Sequence, residues 1–236
     1  QTANAAKQAE LRGNAEKALK KQQQAEQESL QKEVQSAVTA MSTARSILVP
    51  YTISTLTRLP QKMVLPELQR QFDQADVVQR LSLSYGLAAF NDVRVDFLVS
   101  QVESLSSAEV ANLVTALRQS KAESIAALDD AAERAAVKNN LKHQSRLALL
   151  SLHLGVPADA GEMCQLRADP IQRTMFIEEL GTWHGEVDGL AELATSLTDI
   201  PLRSALLLGI GSVPVEELAP AAKDAWVSLA SDWYTS

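Results

Sequence analysis

The sequence is poor in cysteine, glycine, proline and aromatic residues, and these shortages exclude several classes of protein. One cysteine among 236 residues, Cys164, excludes an internal disulfide and a zinc site made of cysteines alone. No run reaches 18 consecutive apolar residues, which excludes a membrane span within this sequence. Nine glycines, eight prolines and 4% aromatic residues favour long helices with short connections.

The sequence also has fewer positively charged than negatively charged residues. The 22 Lys and Arg residues stand against 29 Asp and Glu residues, which gives a net charge of -7. Proteins that bind nucleic acid neutralise phosphates with clustered Lys and Arg, so we expect no nucleic-acid partner. No sequence pattern specifies a cofactor, and we predict none.

Residues 1–48 form a segment rich in Gln, Ala, Lys and Glu, with one glycine, Gly13, and no proline. This composition has high helix propensity. Only the second half carries an apolar seam with alternating spacings of four and three, made of Leu30, Val34, Ala37, Met41, Ala44 and Leu48. We predict a long helix over 1–48 that docks through its C-terminal half. A coiled-coil dimer along the seam is the alternative.

Residues 49–236 contain short amphipathic runs and no long alternation of strand period. The segment Ser106-Ser107-Ala108-Glu109 has the pattern of a capping box ahead of a helix that starts at Val110. The stretch 147–154 is the most apolar, and we predict that it is the most buried helix.

A D-x-x-x-R pentapeptide occurs three times, as Asp76–Arg80, Asp169–Arg173 and Asp199–Arg203. The last two copies start 30 residues apart, and in both a glycine follows eight residues after the arginine, at Gly181 and Gly211. Self-similarity with a period near 30 residues is typical of helical repeat arrays.

Each residue of this motif has a physical role at a helix terminus. Aspartate is a strong N-cap, and an arginine four residues on can reach the cap or the loop of a neighbouring repeat. The glycine stands where a C′ residue would end the helix. We expect the apolar residues between them to face the core: Phe176, Ile177 and Leu180 in one copy, and Leu206, Leu207 and Ile210 in the other. In the first copy Ala88 replaces the glycine, which leaves the register of the repeats before residue 140 open.

The blocks 169–181 and 199–211 resemble HEAT-like repeats. With Arg94-Val-Asp-Phe-Leu98 and Arg146-Leu-Ala-Leu-Leu150, they make residues from about 48 to 236 similar to a helical segment of planctomycete-type multidomain proteins. In that family the segment lies between a Ser/Thr protein kinase domain and a formylglycine-generating-enzyme (sulfatase-modifying-factor)-like domain. The sequence contains neither the H-R-D nor the D-F-G motif of a kinase.

The resemblance implies that the chain is a fragment of a larger bacterial protein, cut within its repeats at the C-terminal end. Residues 1–48 would then be a linker or juxtamembrane helix. In the family a transmembrane helix often separates the kinase from the repeats. An upstream span would place the repeats across the membrane from the kinase, and without it they would be cytoplasmic.

The closest approach to a ligand site is His184-Gly-Glu186-Val-Asp188, because these three side chains can bind a divalent metal. An exposed loop between helices explains the same residues without a ligand. Cys164 with His153 or His184 would form a thiol–imidazole pair, but a buried structural cysteine is the simpler interpretation.

Most of the large aromatic residues near the C-terminus are tryptophans, and tryptophan is enriched at interface hot spots. The candidate interaction residues are therefore Trp183, His184, Trp226 and Trp233, with core packing as the alternative for the tryptophans. The sequence predicts an all-α protein, a right-handed α-solenoid of HEAT-like helical pairs over 49–236 preceded by the long helix over 1–48. We expect a non-catalytic scaffold or protein-interaction segment, not an enzyme. The alternative is a sensor that binds a small molecule or metal at the 183–188 loop.

Overall fold

The computed structural model describes residues 2–185 and 187–235, without the side chains of residues 2–12, 15, 188, 234 and 235. Every regular element in these residues is helical, which confirms the all-α class. Three short 3-10 helices lie at Ser46–Leu48, Ser107–Glu109 and Val215–Glu217. The described α-helices are α1 (Thr2–Ser42), α2 (Val49–Leu56), α3 (Gln61–Gln74), α4 (Val77–Ala88), α5 (Val95–Gln101), α6 (Val110–Arg118), α7 (Lys121–Val137), α8 (Leu141–His153), α9 (Ala158–Cys164), α10 (Ile171–Thr182), α11 (Val187–Ser196), α12 (Ile200–Gly211) and α13 (Pro220–Thr235).

Helix α1 docks through its C-terminal half, as the apolar seam predicted. Val34, Val38 and Met41 are buried where α1 packs on α2, α3 and α4. The helix ends at Ser42, six residues earlier than predicted, because the chain turns there into the 3-10 helix at 46–48. Leu48 therefore leaves the seam and is about half exposed.

The expected capping box before α6 is wrong. Ser106 makes no side-chain cap, and the carboxylate of Glu109 instead accepts a hydrogen bond from the hydroxyl of Ser46. Asn112 Nδ2 donates to the carbonyl oxygen of Ser46 at 2.9 Å. Glu109 and Asn112 thus tie the turn after α1 to the start of α6.

In the C-terminal half the helices pack in series. Helix α8 packs on α10, and α10 packs on α12, while α7 and α9 both pack on α8. Helix α9 also contacts α10 and α12, and α11 packs on α13. Residues 145–154 are buried without exception, so the prediction for the stretch 147–154 is confirmed.

Three glycines lie in α10 and α12, at positions 181, 209 and 211, and the contact between the two helices requires one of them. Gly181 lies inside α10 and Gly211 is the last residue of α12, and neither has a positive φ, so the expected C′ role is wrong for both. A Cβ on Gly181 would overlap the hydroxyl of Ser212. A Cβ on Gly209 would lie 2.5 Å from Leu180 Cδ2. Position 209 therefore needs glycine because the two helices approach closely there, whereas at position 181 a turn of the Ser212 hydroxyl would relieve the overlap.

We predict that Gly209→Ala lowers the free energy of unfolding by about 1–3 kcal/mol, because the added methyl group meets the buried Leu180 side chain. Gly211→Ala is the matched control, since a Cβ there meets nothing within 4 Å. Alanine also has the higher helix propensity, so this variant should match or slightly exceed the native stability. Urea unfolding midpoints test both variants, and equal shifts would contradict the close approach of α10 and α12.

Candidate functional site

A buried arginine lies at the centre of the molecule. Arg146 of α8 donates from Nε to Glu179 Oε2 of α10 at 2.7 Å. Its Nη1 donates to the carbonyl oxygens of Val102, Glu103 and Leu105 at 3.2, 2.9 and 3.0 Å. One guanidinium group therefore joins α8 to α10 and to the segment that follows α5.

Trp183 completes this arrangement. Arg146 Cζ lies 4.9 Å from the centre of the Trp183 ring, and Trp183 Nε1 donates to the carbonyl oxygen of Leu105 at 3.0 Å. Arg146, Glu179 and Trp183 are called the buried node below. Trp183 is only 1% exposed, so it is a core residue and the interaction role predicted for it is wrong.

The described part of the 183–188 loop is packed into the body. His153 Nε2 donates to the carbonyl oxygen of His184 at 2.8 Å, and burial lowers the pKa of His153 to about 4. Gly185 has a φ of +64°, and a Cβ there would lie 2.6 Å from Val110 Cγ1. His184 donates from Nδ1 to the Gly185 carbonyl oxygen at 2.8 Å, and its Nε2 lies 3.6 Å from Glu217 Oε2.

The metal interpretation of this loop concerns side chains that the structure describes only in part. Glu186 and the side chain of Asp188 lie outside the described residues, so only His184 of the three candidate ligands can be placed. Within the described part of the chain, no three His, Cys, Asp or Glu side chains form a group that could hold a metal ion. The contacts of His184 instead fasten the loop to the helices around it.

The aspartates of the D-x-x-x-R motifs lie at helix starts. Asp76 and Asp199 are N-caps that accept a hydrogen bond from the backbone N–H three residues on, at 2.9 and 2.8 Å. Asp169 accepts from the N–H of Ile171, two residues on, at 3.0 Å, and Pro170 holds the N-cap position. The motif at Asp169 therefore starts its helix one residue later than the motifs at Asp76 and Asp199.

The arginines of two motifs bind the preceding helix and not their own cap. Arg80 donates to the carbonyl oxygens of Phe72 and Asp73 at 3.0 and 3.2 Å, in the last turn of α3. Arg203 donates to the carbonyl oxygen of Leu197, one residue beyond the end of α11. A helix presents free carbonyl groups and the negative end of its dipole at this point, which favours a cation there.

Arg173 lies near the corresponding place but makes no such bond. Its Nε is buried and has no hydrogen-bond partner among the described residues. Cys164, the last residue of α9, is close enough for Arg173 to lower the pKa of its thiol, but burial dominates and raises that pKa to about 12. A neutral, buried thiol is not a nucleophile, which agrees with the structural interpretation of Cys164.

The other two tryptophans also pack against the helices. Trp226 is 5% exposed and donates from Nε1 to the carbonyl oxygen of Val187 at 3.3 Å, so the interaction role predicted for it is wrong. Trp233 is half-buried, and Arg203 Cζ lies 5.1 Å from the centre of its ring. Core packing therefore accounts for Trp226, and Trp233 keeps one partly accessible face.

The sequence analysis did not single out the buried node. One signal was present: Arg146 directly precedes the most apolar stretch of the chain, and a charge in a buried helix requires a partner. Glu179 lies in the same way between the apolar residues Ile177 and Leu180. Neither signal identifies the partner, because 33 residues separate the two side chains in sequence.

No protein-family model, no curated protein sequence and no solved structure matches this chain. None of the helices within residues 2–185 and 187–235 is long and apolar enough to cross a membrane. The function is therefore inferred from the contacts of the chain itself.

We predict that Arg146→Met lowers the free energy of unfolding by about 3–5 kcal/mol, because it leaves the buried Glu179 carboxyl with only Lys142 Nζ at 3.7 Å and removes the donor of the Val102 and Glu103 carbonyl groups. The matched control is Arg70→Met, which removes an exposed ion pair with Glu67 and should shift the urea midpoint far less. The double variant Arg146→Met/Glu179→Met should recover part of the loss. Equal shifts for the two arginine variants would contradict the central role of the node.

Proposed function

We propose that this chain is a non-catalytic scaffold and spacer segment of a larger multidomain protein. In this proposal residues 49–236 form a right-handed solenoid of HEAT-like helical pairs, and α1 is a rod that extends from it. The observation that carries the proposal is the contrast within α1, a helix of 41 residues that is packed at one end and exposed along the other.

The exposed part of α1 has the character of a bridging helix. Every side chain from residue 16 to residue 29 is exposed. Gln22 donates to Glu26 at 2.9 Å and Gln24 donates to Glu28 at 3.0 Å, and such contacts four residues apart stabilise an isolated helix. A helix that is polar all round suits a connection between domains. Residues 2–29 would span about 40 Å at 1.5 Å per residue.

The docked end of α1 is held firmly enough to transmit orientation. Met41 is fully buried and packs beside Gly86 of α4 and Leu68 of α3. A Cβ on Gly86 would lie 3.2 Å from Met41 Cγ and 3.2 Å from Leu68 Cδ2, so the three helices are in close contact. A rod fixed in this way sets a distance between the helical body and whatever precedes α1.

Two observations support HEAT-like pairing in the C-terminal half. Helices α8, α10 and α12 pack in series, with α7 and α9 packed on α8. The corners before α4 and α12 use the same chemistry, an aspartate cap followed by an arginine that binds the preceding helix. Recurrent corners and a serial stack are typical of helical repeats, which offer long surfaces for protein partners.

The family resemblance extends the proposal to a bacterial Ser/Thr kinase that carries a formylglycine-generating-enzyme-like domain. The sequence of the intact gene product tests this context directly. A kinase domain upstream and a sulfatase-modifying-factor-like domain downstream are expected. Unrelated flanking domains would remove the kinase context, and the experiment on α1 would then test the spacer role alone.

We predict that α1 is a rigid rod in solution. Ala18→Cys and Ala40→Cys introduce two exposed labelling sites, and the native Cys164 is buried and should resist labelling. Pulsed electron paramagnetic resonance should give a narrow distance distribution, consistent with about 33 Å between the two α-carbons of a continuous helix. Adding Ala25→Pro should broaden and shorten the distribution, because proline interrupts helical hydrogen bonds. A distribution that is equally broad without the proline would exclude the rod.

We predict no dependence on divalent metal, which separates the scaffold from the sensor alternative. The melting temperature should be the same with a chelator as with millimolar zinc, calcium or magnesium, because His184 is engaged with Gly185 and Glu217. A saturable rise that His184→Ala abolishes would favour the sensor at the 183–188 loop. A rise that survives His184→Ala would place the ion elsewhere and still leave this loop without a ligand.

A further inference from the structure

A cavity of about 410 Å³ lies between α5, α7 and α8. Its volume falls within the range of small-molecule sites. The alanines at positions 127, 131 and 135 of α7 line one wall, and their small side chains leave the space open. The other lining residues used below are Asp96, Glu103, Asp130, Arg134, Lys138 and His143.

His143 lines this cavity, and one of its ring nitrogens has no hydrogen-bond partner among the described residues. Its Nδ1 lies 3.7 Å from Glu103 Oε2, and the other carboxylate oxygen of Glu103 accepts from Asn140 Nδ2 at 2.7 Å. A proton on Nδ1 faces that carboxylate, so Nε2 keeps its lone pair. Nε2 is shielded from solvent and has no partner among the described residues. A ligand in the cavity therefore meets the His143 ring and the Glu103 carboxylate, and not Nε2 itself.

Burial lowers the pKa of His143 and so favours the neutral ring. Burial is the largest influence and lowers its pKa, and Lys138, Arg146 and Arg134 act in the same direction. Glu103 opposes them. The cavity therefore presents a neutral imidazole beside one carboxylate and two cations.

Asp130 and Arg134 of α7 and Lys138, the residue after its end, are spaced four apart and follow one face of the helix. The contact between Glu103 and Asn140 brings the C-terminal ends of α5 and α7 together, which places Asp96 toward the Asp130 end. None of the ion pairs in the described part of the chain uses Asp96, Asp130, Arg134 or Lys138. One end of the cavity is thus acidic, and the other combines cations with Glu103 and His143.

We propose that this cavity binds a free basic α-amino acid of the lysine or arginine type. The carboxylate of the ligand pairs with Arg134 and Lys138, and its α-ammonium group donates to the Glu103 carboxylate beside the His143 ring. The aliphatic part lies over the alanines, and the terminal cation reaches Asp96 and Asp130.

Two quantities favour this ligand class over a simple anion. Asp130 and Arg134 are one helical turn apart, about 6 Å, which matches the length of an extended lysine side chain. Three carboxylates and two cations give the cavity a net charge of -1, the complement of a basic amino acid with two cationic groups and one anionic group. This site is separate from the scaffold role and does not rest on it.

Titration of the full chain with L-lysine tests the proposal, with calorimetry and the ¹⁵N signals of His143 as readouts. Saturable binding and a shift of the His143 ring signals are expected. L-Norleucine lacks the terminal cation, and 1,5-diaminopentane lacks the carboxylate, so both should bind more weakly. L-Glutamate and inorganic phosphate should not compete. No saturable response to L-lysine or L-arginine at millimolar concentration would overturn the proposal, and tighter binding of phosphate than of L-lysine would do the same.

Two neighbouring aspartates provide a matched pair of variants. Asp130→Asn should weaken L-lysine binding about five-fold and leave L-norleucine binding unchanged, because only the terminal cation loses its partner. Asp129→Asn removes the same charge from an adjacent exposed position that does not line this cavity, and it should have little effect. Both residues are exposed, so neither change threatens folding. Equal weakening by both variants, or by neither, would contradict the assigned site.

Discussion

A guanidinium group inside an apolar helix has to be paired, and Arg146 meets this requirement by bonding to three separate parts of the chain. It binds the carbonyls of the 102–105 segment, the carboxylate of Glu179 and the face of Trp183. Desolvating such a pair costs several kcal/mol, so its gain in stability over an apolar core is small. Its effect is on specificity, because the bonds from Nε and Nη1 form only when α8, α10 and the segment after α5 take this arrangement. The relative position of these three segments follows from this constraint.

An arginine also binds backbone carbonyl groups at two helix corners, where the residues are less buried than Arg146. At the corner before α4 and at the one before α12, an aspartate satisfies free N–H groups while an arginine four residues on satisfies free carbonyls of the preceding helix. One short motif thus satisfies free backbone groups at the end of one helix and at the start of the next. Arg173 departs from this arrangement, because its helix starts one residue later relative to the motif. In this structure the arginine four residues after the aspartate binds the preceding helix only where the aspartate itself is the N-cap.

The features that could be predicted from the sequence are those decided by local structure. Helix content, the caps at Asp76 and Asp199 and the burial of α8 follow from propensity, capping and apolar composition. The partners of Arg80 and Arg203, the contact between Gly209 and Leu180 and the buried node depend on which helices meet. Periodicity along one helix carries no information on its neighbour. The glycines show this clearly, since a C′ glycine and a glycine at a helix crossing have the same sequence spacing.

The buried node and the proposed amino-acid site share Glu103. Arg146 binds its backbone carbonyl at 2.9 Å, and Asn140 binds its carboxylate at 2.7 Å, so the residue is held from both sides. An acceptor group fixed in this way is ordered before a ligand arrives, which reduces the entropy lost on binding. Occupancy would then stabilise the folded chain by mass action without a change of shape. A site of this kind suits a spacer, because it would stiffen the junction of α5, α7 and α8 and leave the direction of α1 unchanged.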